Sequence, residues 1–319
     1  MYYQYFGLRK NPFSMTPDPG FLFLTPQHRE ALAGLTYALL GQKGFLVLTG
    51  DAGTGKTTLL TRVLQHLPSN RIQASLVLNP ILTSAEFLEM TLLDFGVMEV
   101  PASKAQRLAR LQHVLHQADE QKKISALIID EAHKLSPEVL EEIRLLGNFE
   151  TSDHKLLQIL FVGQNELGVL LNRPDLRQLK QRIAARFAIG PLAPFEVEQY
   201  IQYRWTKAGG TRETPFNPEA VNSIAQHSGG VPRMINAICD NALIQAFGEG
   251  QSTVKAHHVW EACSDLDLVA PTQRAWPPVA SQSAPISAQG TVPPSLERNP
   301  EPAPSRSFFG RWADKLGLA

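Results

Sequence analysis

The sequence predicts an α/β protein in which a five-stranded parallel sheet is followed by a smaller helical domain. Two observations lead to this prediction. Short apolar runs of strand length alternate with amphipathic segments of helix length as far as Gly190, and this alternation is typical of βαβ units. After Gly190 the strand pattern stops, and the later segments up to residue 268 have helical periodicity.

Each element has its own local signal. The predicted strands are the short apolar runs Phe45–Thr49, Ser75–Leu78, Ala126–Ile129, Gln158–Val162 and Phe187–Ile189. A capping side chain accepts a free backbone N–H, and proline at the first helical position loses no bond. Such pairs predict helix starts at Thr25-Pro26, Ser136-Pro137 and Asn217-Pro218. The predicted helices of the second domain are 194–208, 218–228, 232–247 and 255–264.

The composition changes after the helical domain. Residues 269–305 are rich in Pro, Ser, Ala and Gln and have no apolar periodicity, so they are predicted to form a disordered linker. In 306–319, Phe308, Phe309, Trp312 and Leu316 recur at helical spacing beside basic residues. This pattern predicts a short amphipathic helix.

Composition also limits the classes of function. Thirty basic and thirty acidic side chains cancel, which argues against a general coat for nucleic acid. The two cysteines, Cys239 and Cys263, lie in apolar helical patterns and are expected to be buried reduced thiols, with a disulfide as the alternative. No signal peptide and no apolar run of membrane-spanning length are seen, so we expect a cytoplasmic protein.

The stretch GDAGTGKT at 50–57 fits the phosphate-binding pattern GxxxxGK[ST], between a predicted strand and a predicted helix. Glycines let the backbone wrap around phosphates, and the helix N-terminus adds partial positive charge. We expect Lys56 to reach the β- and γ-phosphates of ATP and the Thr57 hydroxyl to ligate Mg²⁺. The alternative is a glycine-rich turn with a surface lysine. The expected nucleotide contacts are Gly50, Asp51, Ala52, Gly53, Thr54, Gly55, Lys56, Thr57 and Thr58.

Two neighbouring acids follow the predicted strand Ala126–Ile129 in the string LIIDEAHKLS. Asp130, at the strand end, is expected to hold Mg²⁺ through water. Glu131 is expected to polarise the water that attacks the γ-phosphate, which favours ATP hydrolysis over phosphoryl transfer to a small molecule. The alternative for Glu131 is a solvated acid favoured by a helix dipole. For His133 we expect a structural role.

Polar residues also follow the predicted strand Gln158–Val162. Gln164 is the first choice for a side chain that hydrogen-bonds the γ-phosphate or the attacking water, and Asn165 is the second. An ordinary turn is the alternative for both. Asn79, at the end of another strand, is either a restraint on Glu131 or a turn residue.

Four arginines are candidates for contact with the triphosphate. Arg177, Arg182 and Arg186 have helical spacing before the last predicted strand. One of them, with Arg182 or Arg186 preferred, is expected to act on ATP bound by a neighbouring subunit; the alternative is a solvated basic helix face. Arg233 follows the turn GGVP at the start of a long predicted helix. There it is expected to reach back over the phosphates, with a surface arginine as the alternative.

Together these residues resemble an AAA+ ATPase of the ExeA or general secretion pathway protein A family. The resemblance covers about residues 1–265 and includes, in order, YFGLRKNPFSMTPDPGFLFLTPQHREALAGLTYAL, GDAGTGKTTLL, LIIDEAHKLS, LQILFVGQNEL, LRQLKQRIAARF and GGVPRMINAICDNAL. It implies a P-loop ATPase core at 1–190, with 1–40 close to the nucleotide, and a helical lid at 191–268. It also implies that Tyr5, Phe6, Asn11, Pro12 and Phe13 lie near adenine; from the residues alone, a core position fits these aromatics equally.

The same resemblance implies Mg²⁺ and ATP as cofactors and nucleotide-dependent homo-oligomers. It also implies a protein partner in a secretion or exopolysaccharide export system. Secretion members carry a membrane span and a peptidoglycan-binding domain after the ATPase, so we expect the resemblance to hold for the ATPase core only. The alternative function is a DNA-binding helper of transposition or replication. The tail at 306–319 has three expected targets, namely its own domain, a protein partner, or the surface of the inner membrane, where the protein would be peripheral.

Overall fold

The computed structural model of the chain describes residues 2–68, 70–211 and 213–268. The linker predicted at 269–305 and the amphipathic tail predicted at 306–319 lie outside these residues. Within the described part, none of the helices has the length and apolar character needed to cross a membrane. Cys239 and Cys263 are both buried and free, as expected.

The sheet has five parallel strands in the order β2-β3-β4-β1-β5. They are β1 Phe45–Thr49, β2 Ile72–Val77, β3 Ile124–Ile129, β4 Leu157–Gly163 and β5 Ile183–Ala188. Because parallel strands end at one edge of a sheet, the segments that follow β1, β3 and β4 meet there. These segments carry the glycine-rich loop, the acidic pair and the polar residues after β4.

The predicted sheet is confirmed, with corrections to two strands. β2 begins at Ile72, whereas the prediction began at Ser75. β5 begins at Ile183, whereas the prediction placed a strand only at Phe187–Ile189. Half-buried and exposed side chains alternate along β5, which lies at one edge of the sheet. It therefore lacks the continuous apolar run that marks the inner strands.

The described residues contain twelve α-helices: α1 Tyr2–Tyr5, α2 Pro26–Leu40, α3 Lys56–His66, α4 Ser84–Asp94, α5 Lys104–Glu120, α6 Pro137–Leu146, α7 Glu166–Leu171, α8 Arg177–Gln181, α9 Pro194–Lys207, α10 Pro218–Ser228, α11 Pro232–Gly248 and α12 Ala256–Asp265. The three predicted helix starts are confirmed. Thr25 accepts a hydrogen bond from the His28 N–H, and Ser136 and Asn217 cap α6 and α10 in the same way. The last four helices agree with the predicted ranges to within one residue at each end.

The buried apolar side chains form three clusters. One lies between a face of the sheet and α4, α5 and α6, and it includes Phe87 and Leu111. The opposite face is covered by α2 and α3, with Leu35 and Leu60 fully buried. The third cluster fills the helical lid (residues 191–268) and also takes in Phe13 from the N-terminal segment. The chain start is therefore part of the lid core.

The expected helical spacing of the arginines before the last strand is wrong. Arg177 begins α8, Arg182 follows the end of that helix, and Arg186 lies inside β5. The three side chains therefore do not share one helix face. The error arose because the predicted strand began only at Phe187. The half-exposed residues before it, which belong to β5, were taken for part of a helix.

The packing of Gly147 on β1 gives a testable prediction. A Cβ atom at Gly147 would lie 2.3 Å from Cε2 of Phe45, which is 2% exposed and stacks on Phe161. Gly147→Ala is therefore expected to lower the free energy of unfolding by about 1–3 kcal/mol through overpacking. Urea denaturation measures this change.

Gly168→Ala in α7 is the matched control, because a Cβ atom there meets nothing within 4 Å. Alanine has the better helix propensity, so this control should be neutral or stabilising by up to about 1 kcal/mol. Equal unfolding midpoints for the two variants would contradict the packing described for Gly147.

Candidate functional site

The loop between β1 and α3, called the phosphate loop here (residues 50–57), has the backbone that its glycines permit. Gly53 and Gly55 have φ values of +81° and +98°, a left-handed conformation that is unfavourable for other residues. Gly55 directly precedes the first residue of α3. The loop therefore turns sharply, and the free N–H groups at the start of α3 point toward its inside.

Lys56 lies at the centre of this loop and is 7% exposed. Its Nζ donates to the carbonyl oxygens of Gly50 and Asp51 at 2.8 and 2.9 Å. Burial lowers the pKa of the Lys56 ammonium, although nearby acids, Asp130 first among them, act in the opposite direction. A buried ammonium held by neutral carbonyl groups is well placed to receive an anion.

Thr57 and Asp130 form the part of the site suited to a metal ion. The Thr57 hydroxyl donates to Oδ2 of Asp130 at 3.2 Å, and Oδ1 of Asp130 accepts the Glu131 N–H at 2.8 Å. Burial raises the pKa of the Asp130 carboxyl, which is 8% exposed. A hydroxyl beside a buried carboxylate is an oxygen donor set of the kind that Mg²⁺ prefers.

Glu131 is held by two basic neighbours that the sequence analysis did not identify. Its Oε2 lies 3.0 Å from Nζ of Lys134 and 3.6 Å from Nε2 of His133. Partial burial alone would raise the pKa of Glu131, but the Lys134 hydrogen bond and charge hold it below its usual value. The spacing of three residues between Glu131 and Lys134 is a signal that could have predicted this pair.

Asn79 does not restrain Glu131. Its Oδ1 accepts the Ile81 N–H at 3.3 Å, so Asn79 is the turn residue that the sequence left as the alternative. Glu131 itself has a left-handed backbone with φ of 52°, which is uncommon for a residue other than glycine. This conformation sends the chain into the short 3₁₀ turn that carries Lys134.

The two polar residues after β4 make different contacts. The Gln164 backbone N–H donates to Nδ1 of His133 at 3.4 Å. The Asn165 side chain donates from Nδ2 to Oδ1 of Asp51 in the phosphate loop at 2.6 Å. The structure therefore places the side chain of Asn165, and only the backbone of Gln164, in hydrogen-bond contact with the site. His133 links the Glu131 region to β4, in agreement with a structural role.

Among the arginines, Arg233 lies at the phosphate loop. Its backbone N–H donates to the Gly53 carbonyl at 3.2 Å. A Cβ atom at Gly53 would lie only 2.7 Å from Cβ of Arg233. Arg182 instead donates from Nη1 to the Arg144 carbonyl at 2.9 Å, and Arg186 is exposed on the edge strand β5. Neither Arg182 nor Arg186 lines the cavity of its own chain.

The phosphate loop, the lid and the N-terminal segment line a partly open cavity of about 400 Å³. Its walls come from loop residues 52–57, from Glu131, from 14–18 and 21–23 of the N-terminal segment, and from the lid. His28, which the sequence analysis missed, also lines the cavity, and its Nε2 lies 3.3 Å from the Thr54 carbonyl oxygen. All the predicted loop residues from 52 to 58 line it, whereas Gly50 and Asp51 are outside its lining and accept hydrogen bonds from Lys56.

The expected position of the first aromatic residues near the nucleotide is wrong. Tyr5, Phe6, Asn11, Pro12 and Phe13 do not line the cavity. Phe13 is fully buried in the lid core, and the Asn11 amide donates to Asp240 on α11 at 3.0 Å. The following residues, 14–18 and 21–23, take the position that was expected for residues 5–13. Phe13, and in part Phe6, pack in the lid core, which leaves the second stretch to face the cavity.

Comparison with known proteins agrees with this geometry. Residues 39–171 match the AAA domain family. The chain is 42% identical over 259 residues to general secretion pathway protein A of Aeromonas hydrophila, a match that covers 80% of this chain and 46% of that protein, about half of its length. It is 26% identical to the ATP-dependent target DNA activator B of Escherichia phage Mu, over 79% of this chain and 75% of that one. In fold it is similar to Cdc6p from Pyrobaculum aerophilum, with a TM-score of 0.62 and 18% identity over 80% of this chain and 70% of that chain.

The ion pair at Glu131 gives a prediction that needs no ligand. Replacing Lys134 by alanine removes the hydrogen bond and the charge that lower the Glu131 pKa. In Lys134→Ala the pKa of Glu131 is therefore expected to rise toward or above its ordinary value. Carbon-detected NMR titration of the carboxyl groups measures it.

Asp175 is an internal control in the same titration, because Arg173 holds the pKa of its carboxyl below the usual value without any part played by Lys134. The Asp175 pKa should be the same in both proteins. An unchanged Glu131 pKa in the variant would show that Lys134 does not hold this carboxylate in solution.

Proposed function

We propose that this chain, which matches the AAA domain family over residues 39–171 and is similar to general secretion pathway protein A, binds Mg²⁺-ATP in the phosphate loop and hydrolyses it to ADP and phosphate. We further propose that hydrolysis drives the assembly or remodelling of a protein complex in a secretion or exopolysaccharide export system. The observation that carries the proposal is the meeting of Lys56, the Thr57–Asp130 pair and Glu131 at one edge of the sheet.

Binding of the triphosphate follows from the loop. The N–H groups at the start of α3 and the Lys56 ammonium supply donors and positive charge for the phosphate oxygens. Thr57 and Asp130 would hold Mg²⁺, which supplies charge neutralisation on the β- and γ-phosphates. Arg233 approaches from the lid, so that the same phosphates are contacted by both domains.

Hydrolysis requires a base for the attacking water. Glu131 lines the cavity, and its lowered pKa keeps it ionised near neutral pH, so it can accept the water proton. In the free protein this carboxylate is paired with Lys134 and lies near His133. The anionic triphosphate would compete with Glu131 for the Lys134 ammonium, and release of Glu131 from Lys134 would couple the base to nucleotide binding. Asn165, with Gln164 beside it, would orient the γ-phosphate or the water.

A second copy of the chain would complete the site by supplying an arginine. Arg186 is exposed on the edge strand β5, so it is free to reach the ATP of a neighbouring subunit in a nucleotide-dependent homo-oligomer. Arg182 is the alternative, although its guanidinium is engaged with the Arg144 carbonyl.

We propose a cytoplasmic location. Contact of the tail at 306–319 with a protein partner or the inner membrane stays a proposal, because it lies outside the described residues.

A second candidate function is a DNA-binding helper of transposition or replication. The similarity to the phage Mu DNA activator B favours it, because this match covers 75% of that protein, against 46% of the secretion protein. The higher identity of the secretion relative, 42% against 26%, and the neutral charge balance favour the first function. Both functions use the same ATPase core.

The ATPase proposal predicts opposite defects for two variants. Glu131→Gln should bind ATP with an affinity close to that of the wild type and should lower kcat at least about 100-fold, because a general base is lost. Lys56→Ala should abolish nucleotide binding. Calorimetric titration with Mg²⁺-ATP and a phosphate-release assay measure both quantities.

Glu138→Gln is the matched control, since Glu138 is an exposed acid in the first turn of α6 outside the cavity. Its kcat should equal that of the wild type. Normal turnover by Glu131→Gln, or unchanged ATP affinity of Lys56→Ala, would overturn the assignment of these residues.

The two functions differ in their prediction for DNA. Glu131→Gln held in the ATP-bound state should show no ATP-dependent binding to a fluorescent duplex at micromolar concentrations in 50 mM salt. Fluorescence anisotropy at 50 and 200 mM salt measures this, with Lys56→Ala as the control that does not retain ATP. Tight binding that requires ATP and falls steeply with salt would establish the DNA-binding function instead.

A further inference from the structure

The lid wall of the cavity contains a buried amide, Asn236. It lies on α11 one helical turn after Arg233, so the two side chains share a face of the helix. Asn236 is 7% exposed and lines the cavity. A buried amide is costly unless its hydrogen bonds are made, so its partners are informative.

Arg204 and Tyr200 fix the direction of this amide. The Arg204 guanidinium donates from Nη1 to the Tyr200 oxygen at 3.2 Å, and the Tyr200 hydroxyl lies 2.8 Å from Oδ1 of Asn236. A guanidinium can only donate, so the Tyr200 oxygen accepts from it. The tyrosine proton is therefore directed to Asn236, and the atom that receives it must be the amide oxygen.

The tyrosine retains that proton in the buried site. Burial raises the pKa of Tyr200, although Arg204 and Asn236 act in the opposite direction. Arg204 is itself held by the carbonyl oxygen of Pro12 at 2.5 Å from Nε, and it has no carboxylate partner in the described part of the chain. Hydrogen bonds are therefore donated in one direction only, from Arg204 to Tyr200 and from Tyr200 to Asn236.

The amide nitrogen of Asn236 is left without a partner. Within the described residues its Nδ2 donates no hydrogen bond, while Oδ1 is occupied by Tyr200. Nδ2 is not fully shielded from solvent. Because Asn236 lines the cavity, this nitrogen has access to it. The wall thus presents one N–H₂ donor to whatever occupies this space.

The neighbouring wall is apolar and aromatic. Phe21, Leu22 and Phe23 line the cavity from the N-terminal segment. The Phe23 ring lies 5.9 Å from the Tyr200 ring, and the Arg204 guanidinium lies 4.8 Å from the centre of the Phe21 ring. Such a surface suits a flat heterocycle better than the hydroxyl groups of a sugar.

We propose that Asn236 donates a hydrogen bond from Nδ2 to a ring nitrogen or carbonyl oxygen of the nucleobase, in a direction set by Arg204 and Tyr200. This inference rests on the proposed binding of a nucleoside triphosphate by the phosphate loop. Asn236 would then be a specificity-determining residue of the lid. Tyr200 is a positioning residue that acts through it.

The test compares four ligands by calorimetric titration of the full chain in Mg²⁺ buffer: ATP, inorganic tripolyphosphate, 2′-deoxy-ATP and 3′-deoxy-ATP. Asn236→Leu keeps the shape of the side chain and removes its donors. It should weaken ATP binding about tenfold, the size of one lost neutral hydrogen bond. Tripolyphosphate has no base, so its affinity should not change.

Asn241→Leu is the matched control, because Asn241 lies on the same helix, donates to the Ala237 carbonyl and does not line the cavity. It should bind every ligand as the wild type does. Tyr200→Phe keeps the donor of Asn236 but removes the hydroxyl that orients it. It should lose part of the ATP affinity and none of the tripolyphosphate affinity.

Several outcomes would overturn the inference. Unchanged ATP affinity in Asn236→Leu would show that Nδ2 makes no contact with the nucleotide. An equal loss for ATP and tripolyphosphate would assign the effect to the phosphates or to the lid as a whole. A loss that disappears with either deoxy analogue would place the contact on the ribose. A wild-type protein that binds neither ATP nor tripolyphosphate would instead refute the proposed function on which the inference depends.

Discussion

The contact between Gly53 and Arg233 joins the phosphate loop to the lid, and the site depends on it. The Arg233 N–H donates to the Gly53 carbonyl at 3.2 Å, and the backbones approach so closely that a Cβ atom at Gly53 would be 2.7 Å from that of Arg233. The start of α11 is thereby fixed over the loop. Its next turn places Asn236 in the lid wall of the same cavity.

Features set by neighbouring residues in the chain could be predicted from the sequence. The phosphate loop, the strand before it and the helix after it depend on glycines and on short apolar runs, and they form as predicted. The three capped helix starts depend on residues within one turn of each other, and they are confirmed. The positions of Asp130 and Glu131 follow from the end of β3, because parallel strands bring their carboxyl ends together.

Features set by long-range packing could not be predicted. Residues 5–13 were expected near the nucleotide because the segment was taken as a whole, but the lid core buries Phe13 and leaves residues 14–18 to face the cavity. The sequence left Asn79 open as a restraint on Glu131 or a turn residue, and it did not identify Lys134, whose Nζ lies 3.0 Å from Oε2 of Glu131. The edge strand β5 has only one packed face, so its start and the position of Arg186 were misread.

The attachment of the lid to the loop in the free protein is tested most directly by amide hydrogen exchange at Arg233. Arg233 is the second residue of α11, where an N–H ordinarily has no partner within its own helix. Because it donates to Gly53, its amide should exchange as slowly as that of Ile235, which is bonded to the Val231 carbonyl inside the helix. Fast exchange at Arg233 beside slow exchange at Ile235 would show that lid and loop separate freely, which would contradict a single preformed site.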